Sequence, residues 1–396
     1  MSSKIDLIIL CGGRGTRLKK ITNRISKPMI KFGNIFFLRH LINYYKKYNF
    51  QNIYLLAGYK GEKIFEEFNN INENLVNVKC IIEKNPLGTA GAISKIKNKI
   101  KNDFVVVNGD SFLNVDISKF LAFKKNRDYY AKMILVKNNT YKSNKKLSSL
   151  SLGKNNLVNF NSKSKLMNSG IYYFKRKTLD LFLKKKFSIE NDLMPKIINM
   201  KKVVGYKENE FFIDIGTKNQ LSFAKKNLKT YVYKPALFLD RDGVLNKDYG
   251  YVYKYENFKW LKGVVKSLDY AQKKFYIFIV TNQSGIGRGF YNVKQFQLLH
   301  KNIKIYLLKK NIFINDLEFC PHHPIHGKGK YKINCKCRKP GNRMIENLKK
   351  RWMINIKKSF FIGDKKTDEI AAKKSNIRFI YSNNNLLKIV KKITYN

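Results

Sequence analysis

The stretch Ala236-Leu-Phe-Leu-Asp-Arg-Asp-Gly-Val-Leu-Asn246 constrains this chain more than any other. Its first apolar residues read as a buried strand of a parallel sheet, which runs straight into two aspartates one residue apart and then a glycine. Strand alternation puts residues i and i+2 on one side. Asp240 and Asp242 are therefore expected to point together beyond the strand's carboxyl end, where open α/β sheets bind their ligands. Two like charges so close are costly unless a cation lies between them or one takes up a proton. An acidic strand-end turn would account for this segment equally well by itself. The rest of the C-terminal half decides between the two.

With 396 residues, 44% of them hydrophobic and evenly spread, the chain can fill two or three cores. No apolar run approaches a membrane span. The opening Met1-Ser-Ser-Lys-Ile-Asp6 lacks the pattern of a secretory leader, so the cytoplasm is the expected compartment. Three of the five cysteines, Cys320, Cys335 and Cys337, crowd into one loop, which suits a metal in a reducing compartment better than a disulfide framework. A formal charge of +53 invites a nucleic-acid reading. The lysines, however, are scattered through both halves alongside abundant Asn, Ile, Tyr and Phe. They read as compositional drift and a solvated basic surface, with neither a specific nucleic acid nor a membrane as partner.

The N-terminal half opens with the strand 5–10 and the loop Cys11-Gly-Gly-Arg-Gly-Thr-Arg-Leu18. Its glycines let backbone N–H groups come close to a phosphate, and Arg17 adds charge-assisted hydrogen bonds. Ser26-Lys27-Pro28-Met29 supplies a second cation. Strands are expected over 52–57, 78–82 and 104–107, and helices over 35–48 and 89–100. The segment Glu83-Lys-Asn-Pro-Leu-Gly-Thr-Ala-Gly91 can pass close to a flat base. Asn108-Gly109-Asp110 sets another carboxylate at a strand's end, followed by Asn168-Ser-Gly170, Ser188-Ile-Glu190 and Phe212-Ile-Asp214.

In this order the pieces resemble the sugar-1-phosphate nucleotidyltransferases, over roughly residues 4–228. The resemblance implies a Rossmann-like fold in which Leu10, Gly12, Gly13, Gly15, Thr16 and Arg17 hold the nucleotide's phosphates, with Lys27 on the reacting ones. It implies that Pro86, Leu87, Gly88 and Thr89 lie near the base with Gly109 also at the nucleotide, that Asp110 and Asp214 share Mg²⁺, that Asn168, Gly170 and Glu190 contact the sugar, and that Lys163 meets the sugar phosphate. The chain departs from the family pattern at Ser26, where proline is usual. It departs again at Phe160-Asn-Ser-Lys163, where Glu-Lys is common.

Residues 225–235 read as the connection, giving domains of 1–230 and 231–396. After the Asp240/Asp242 turn come Asp248-Tyr-Gly-Tyr251 and a helix over 263–274. The strand 276–280 then ends in Thr281-Asn-Gln-Ser284, a hydroxyl and amide cluster suited to phosphate oxygens. A helix over 293–310 carries Phe296, Leu299, Ile303 and Leu307 at core spacing. Cys320, Cys335 and Cys337 with His322 or His323 match a closed tetrahedral Zn²⁺ site, which is structural; His322 is the favoured ligand, and His326 is assigned to solvent. Lys339 is a fixed cation, and a strand over 359–362 ends in Gly363-Asp364-Lys-Lys-Thr-Asp368.

Asp-x-Asp, Thr, Lys and Gly-Asp-x-x-x-Asp in this sequence resemble the haloacid-dehalogenase superfamily. With the Cys-x-His…Cys-x-Cys loop and Arg338-Lys-Pro340, the chain is most similar within it to the heptose 1,7-bisphosphate phosphatases, over about residues 236–385. That likeness implies a Rossmannoid phosphatase domain with a zinc loop. Asp240 would be the nucleophile and Asp242 the general acid and base. Asp240, Asp364 and the Asp242 carbonyl would hold Mg²⁺. Thr281, Asn282, Gln283, Ser284 and Lys339 would surround the phosphoryl group, and Asp248, Gly250, Tyr251, Arg338 and Lys365 the rest of the substrate. The combined expectation is a bifunctional α/β enzyme that removes the 7-phosphate of a heptose bisphosphate and couples the heptose 1-phosphate to a nucleoside triphosphate, GTP being expected. Two alternatives stay open. One is a histidinol-phosphate or nucleic-acid 3′-phosphatase joined to a hexose-1-phosphate nucleotidyltransferase. The other is a basic nucleic-acid-binding protein built on inactive domains. Oligomeric state is not legible.

Overall fold

A computed structural model describes residues 5–73, 76–124, 128–137, 149–183, 186–382 and 385–395; the first four residues, part of the stretch read for a leader, lie outside the described residues. In the N-terminal sheet the strand Ile5–Cys11 lies between Phe50–Ala57 and Phe104–Asn108 and is parallel to both, with Val76–Ile82 parallel beyond Phe50–Ala57. Its side chains alternate between two cores: Leu7 and Ile9 enter one, Ile8 the other. A strand covered on both faces reads as a continuous apolar run for this reason. Leu166–Phe174 joins antiparallel on the far side of Phe104–Asn108. The chain thus builds outward from Ile5–Cys11, then returns to add Phe104–Asn108 on its opposite edge. The strand order reverses at the carboxyl end of Ile5–Cys11.

The C-terminal sheet repeats this plan. All its strands are parallel, in the spatial order Asp316–Cys320, Tyr276–Asn282, Ala236–Leu239, Phe360–Gly363, Arg378–Tyr381. The chain builds outward from Ala236–Leu239 on one side and returns to complete the other. Here the reversal falls at Asp240.

Three expected elements differ. Ile35–Phe36 pairs with Lys31–Phe32 as a short ribbon across a turn at Gly33 (φ +62°), so the helix starts only at Phe37 and runs to Lys46. The segment 89–100 is a helix only over Gly88–Ser94, then a tighter turn at Lys97–Lys99, although Ile93, Ile96 and Ile100 keep the buried spacing. The connection expected over 225–235 is helical through Val232. The helix Lys218–Val232 is capped by the Thr217 hydroxyl and buries Leu221, Ala224, Leu228 and Val232 at intervals of three and four. Lysines on the exposed face masked this stripe. Residues 233–235 alone link it to Ala236–Leu239.

The two halves meet around Asp316, whose side chain is fully buried. Lys46 from the N-terminal half reaches its Oδ2 at 2.8 Å, and Arg351 and the Trp352 indole of the C-terminal half reach the same oxygen at 3.2 and 2.8 Å. Asn43 donates to the Arg351 carbonyl at 2.6 Å, and Lys304 donates to the Lys46 carbonyl at 2.6 Å. Burial opposes the Asp316 charge, but Lys46 and Arg351 outweigh it and hold the carboxyl well below its ordinary range. Removing one member of such a cluster leaves buried charge uncompensated. Asp316→Ala is expected to cost about 3–5 kcal/mol in urea unfolding, and Lys46→Met combined with Asp316→Leu clearly less than the two single changes added.

Candidate active sites and a candidate metal centre

Both reversals of strand order carry a cleft. In the C-terminal cleft, Asp240 and Asp242 lie past the end of Ala236–Leu239. Both line it, but through a turn and not through strand alternation: Asp242 sits in the tight turn that follows Asp240. Gly243, at φ +81°, closes that turn; a Cβ there would sit 2.3 Å from Asp364 Oδ2. Lys339 is the hub. Its ammonium is 2.9 Å from Asp240, 2.7 Å from Asp368 and 2.9 Å from the Val280 carbonyl. Burial disfavours the Lys339 cation, but Asp240 and Asp368 outweigh burial and raise its pKa. Burial pushes the Asp240 carboxyl up to about 6 despite Lys339.

Asp242 is held differently. Arg241, fully buried, grips both its oxygens at 2.7–3.1 Å, and Asn246 and Gln283 donate to it at 3.0 and 2.9 Å. Gln283 also donates to the Thr281 hydroxyl at 2.8 Å and accepts from Tyr291 at 2.6 Å. The two aspartates therefore sit in contrasting surroundings, one beside a carboxylate and a lysine, the other clamped by a guanidinium and amides. Asn282 and the Lys339 backbone exchange hydrogen bonds at 3.0 and 3.1 Å. Asp248, Gly250, Tyr251, Ser284, Arg338 and Lys365 complete the rim, with Lys365 3.3 Å from Asp248. Asp240, Asp364 and Asp368 offer oxygens within 4.8 Å of one another, and Asp364 Oδ1 is buried without a partner among the described residues. This hard-oxygen set fits a magnesium-like cation. Asp368 and Arg241 were missed as site residues although both lie within the quoted motifs. Neither motif says that the first is buried against Lys339 or that the second folds back onto its neighbour.

Beside this cleft, Cys320, His322, Cys335 and Cys337 converge. The sulfurs are 3.0–3.5 Å apart, and His322 Nδ1 is 3.6 and 3.3 Å from the sulfurs of Cys320 and Cys337. Tetrahedral zinc–thiolate geometry gives edges of roughly 3.8 Å, so this compact set could hold zinc with no position left open. His323 instead accepts backbone N–H groups of Ile325 and His326. The Cys335 sulfur accepts the Arg338 N–H at 3.4 Å, and Arg338 donates to the His322 carbonyl at 3.3 Å.

In the N-terminal cleft, Leu10, Gly12, Gly13, Lys27, Pro86, Gly88, Thr89, Asp110 and Glu190 share one wall-to-wall cavity of about 320 Å³. Lys27 meets Asp110 at 3.0 Å. Gly109 must be glycine, since a Cβ there would lie 2.7 Å from the Leu10 carbonyl. Glu190 accepts from Thr89 at 2.9 Å and reaches Asn168 through the Tyr172 hydroxyl, while the Asn168 side chain accepts the Gly170 N–H. Arg17 and Asp214 lie together around Gly216, outside that lining, and Asp214 is in register with Ser111, next to Asp110. Gly15 packs on Lys27 and Thr22. Thr16, Leu87 and Lys163 do not line the cavity; Lys163 is exposed in a turn. Arg14, Glu83 and Asn108 do line it, and sequence reasoning had passed over them.

Two Rossmann-type domains, each with cations and carboxylates gathered at its strand-order reversal, define an enzyme of phosphoryl chemistry on both sides. The chain belongs to the nucleotidyl transferase family, whose model matches residues 7–230, and the model described as polynucleotide kinase 3 phosphatase matches residues 238–386. A D-glycero-alpha-D-manno-heptose 1-phosphate guanylyltransferase of Campylobacter jejuni is 35% identical over 229 residues, 54% of this chain and 95% of that protein. A D-glycero-beta-D-manno-heptose-1,7-bisphosphate 7-phosphatase of Haemophilus influenzae is 45% identical over 111 residues, 28% of this chain. A D-glycero-alpha-D-manno-heptose-1,7-bisphosphate 7-phosphatase of Burkholderia mallei is 44% identical over 111 residues, again 28% of this chain. The chain spans 60% and 59% of the length of those two phosphatases. No helix among the described residues is long and apolar enough to cross a membrane.

Because the Cys335 sulfur accepts the Arg338 N–H, Cys335→Ser is expected to lower the zinc the purified protein can take up and to weaken phosphate release at the C-terminal cleft by shifting Arg338 and Lys339. Nucleotidyl transfer should stay unchanged. Elemental analysis of the purified protein and separate assays of the two reactions check this.

Proposed function

We propose that this chain, divided near residue 230, is a bifunctional enzyme that removes the 7-phosphate of D-glycero-D-manno-heptose 1,7-bisphosphate and then transfers GMP from GTP to the heptose 1-phosphate. The observation that carries the first activity is Asp240 and Asp242 in one cleft with sharply different partners. An Asp240 oxygen attacks the phosphorus, and the bond to the sugar oxygen breaks as Asp242 supplies a proton to that oxygen. A water, its proton taken by Asp242, then opens the aspartyl phosphate and frees inorganic phosphate. Splitting one displacement into two is the advantage of a carboxylate nucleophile. Lys339 and Thr281 neutralise the phosphoryl oxygens, while Arg338, Lys365 and the Asp248–Tyr251 loop hold the distant phosphate and sugar. Asp240, Asp364 and the Asp242 carbonyl, with Asp368 beside them, would hold Mg²⁺, which supplies charge neutralisation at the phosphoryl group. Cys320, His322, Cys335 and Cys337 would hold Zn²⁺ with no position left open, in a structural role.

In the N-terminal cleft a sugar-phosphate oxygen attacks the α-phosphorus of the nucleotide and pyrophosphate leaves. No protein nucleophile is needed. The glycine loop holds the phosphates, Lys27 meets the reacting ones, Pro86, Gly88 and Thr89 line the base, and Glu190, braced through Tyr172 and Asn168, faces the sugar phosphate. Asp110 and Asp214 would hold Mg²⁺ there, again for charge neutralisation. If one domain's product feeds the other, both must accept one anomer. The alpha form named for the Campylobacter transferase and the Burkholderia phosphatase is the one that serves both.

The match to a polynucleotide 3-phosphatase model favours, as second reading, a C-terminal domain acting on nucleic-acid 3′-phosphates. A panel of heptose 1,7-bisphosphate anomers, histidinol phosphate and a 3′-phosphorylated oligonucleotide separates the two readings. The alpha heptose bisphosphate is expected to have the highest kcat/KM, and faster turnover of the oligonucleotide would replace the first reading by the second. With GTP, ATP, CTP and UTP in separate reactions, GDP-heptose should be the dominant product by mass. A site that hydrogen-bonds one base edge can reject an unmatched analogue by about 10⁴, so equal use of all four would remove the guanine assignment.

The two sites share no side chain. Asp240→Asn is expected to abolish phosphate release while leaving pyrophosphate release from heptose 1-phosphate near the parent rate, and Asp110→Ala to do the reverse. One folded variant silent in both assays would overturn the two-site account.

A further inference from the structure

Gln283 follows the strand Tyr276–Asn282 and is 2% exposed, its backbone N–H donated to the Cys320 carbonyl at 2.7 Å. The likeness to the heptose bisphosphate phosphatases implies a place for it among the groups around the phosphoryl oxygens. Its hydrogen bonds lead elsewhere. A side-chain amide carries two N–H donors and one oxygen that only accepts. Nε2 spends its hydrogens on Asp242 Oδ2 at 2.9 Å and on the Thr281 hydroxyl at 2.8 Å, and Oε1 takes the Tyr291 hydroxyl at 2.6 Å. No donor is left for a phosphoryl oxygen, which is itself an acceptor.

The neighbours also settle which way the amide points. Asp242, gripped by the Arg241 guanidinium, offers acceptors, so the amide nitrogen faces it and the amide oxygen faces Tyr291. The Tyr291 hydroxyl must then donate. Burial raises its pKa above the ordinary tyrosine value, which keeps it a donor. The local chain is built to bring that hydroxyl in. The short helix Ser284–Arg288 ends at Gly289, whose φ of +85° turns the chain back. Tyr291, 5% exposed, then packs on Gly285, where a Cβ would lie 2.3 Å from its ring. The ring also stacks on Tyr253, 4.9 Å between centres and 9° between planes.

Arg241 by itself does not orient the Asp242 carboxylate. Its Nε and Nη2 each lie 2.7–3.1 Å from both oxygens, so its grip barely tells one oxygen from the other. The two amides do. Asn246 takes Oδ1 at 3.0 Å and Gln283 takes Oδ2 at 2.9 Å. The same Gln283 amide donates to the Thr281 hydroxyl, so the hydrogen of that hydroxyl stays available to an acceptor in the cleft.

We propose that Tyr291 and Gln283 are positioning residues of the C-terminal cleft: the Tyr291 hydroxyl fixes the Gln283 amide, and that amide sets Asp242 for proton transfer to the leaving oxygen. Gln283 thus serves Asp242 and Thr281 and does not touch the phosphoryl group. The proposal rests on the reading of Asp242 as general acid, and not on which sugar phosphate is cleaved.

The test uses the leaving group. A general acid contributes about 10²–10⁴-fold, and only where the departing oxygen needs a proton. A sugar alkoxide needs one, whereas p-nitrophenolate leaves as a stable anion. The first displacement is followed in single turnover, with the full-length protein in excess so that a slow ester is still measured. The two esters are p-nitrophenyl phosphate and the sugar phosphate turned over fastest in the panel above. Asp242→Asn is the reference, and its loss on the sugar phosphate should exceed its loss on the aryl phosphate by about a hundredfold. Tyr291→Phe keeps the ring and its stack on Tyr253 and removes the hydroxyl alone. Its loss on the sugar phosphate should exceed that on the aryl phosphate by about tenfold, and Gln283→Met should discriminate at least as strongly. Urea unfolding checks that each variant is folded, and Gln283→Met carries the test if Tyr291→Phe is not. Equal losses on the two esters, or parental rates on both, in a folded positioning variant would overturn the relay while a selective Asp242→Asn leaves the general acid standing. If Asp242→Asn itself slows both esters equally, the general-acid reading falls and the relay falls with it.

Discussion

In a parallel sheet, the strand laid down first can be extended on both edges only if the chain returns across it. The connections on its two sides then leave in opposite directions and cannot close over its carboxyl end. Both halves of this protein are governed by that constraint. Ile5–Cys11 and Ala236–Leu239 are flanked by parallel strands on each side, and each ends where the strand order reverses. The gaps left open are the two clefts. The glycine loop occupies one, and the Asp240/Asp242 turn the other.

What fills each gap is charge that the sheet itself cannot neutralise. In the C-terminal cleft, Lys339 stands between Asp240 and Asp368, nearly sealed from water. A single buried lysine facing two carboxylates leaves a net negative site, and Asp364 adds to it. Such a site is stable only with a further cation or a proton. It therefore favours a divalent metal and a dianionic phosphoryl group arriving together. Asp242 escapes this crowding because Arg241 folds back onto it. That difference in surroundings lets two aspartates two residues apart take different chemical parts.

The halves are joined by a different use of buried charge. Asp316 lies at the start of the edge strand Asp316–Cys320, the same strand that ends at Cys320 of the Cys320/His322/Cys335/Cys337 cluster. Lys46 holds one end of that strand to the N-terminal domain, while the other end carries the loop with Arg338 and Lys339. The interface is therefore continuous, through one strand, with the architecture of the C-terminal cleft.

The motifs were legible because they are local. Gly12–Gly15, Asp240-Arg-Asp242, Thr281–Ser284 and Gly363–Asp368 each sit where a buried strand ends, and strand periodicity and chain order announce this directly. The three inner strands of the C-terminal sheet and the three clustered cysteines followed from spacing in the same way, whereas the edge strands Asp316–Cys320 and Arg378–Tyr381 did not announce themselves. The length of the helix Lys218–Val232 was hidden by lysines on its outer face, and the ribbon at Ile35–Phe36 by apolar residues that suit a helix equally well. Which side chain turns toward which was, apart from Arg241 folding onto its neighbour Asp242, not local. Asp368 onto Lys339, Arg17 beside Asp214 and away from the cavity lining, and Lys46 onto Asp316 are settled by packing between elements tens to hundreds of residues apart. Sequence fixes the chemical groups at each strand end, because backbone periodicity is a short-range property. Tertiary structure alone decides their partners, because electrostatic pairing of buried groups depends on what the rest of the fold brings within about 3 Å.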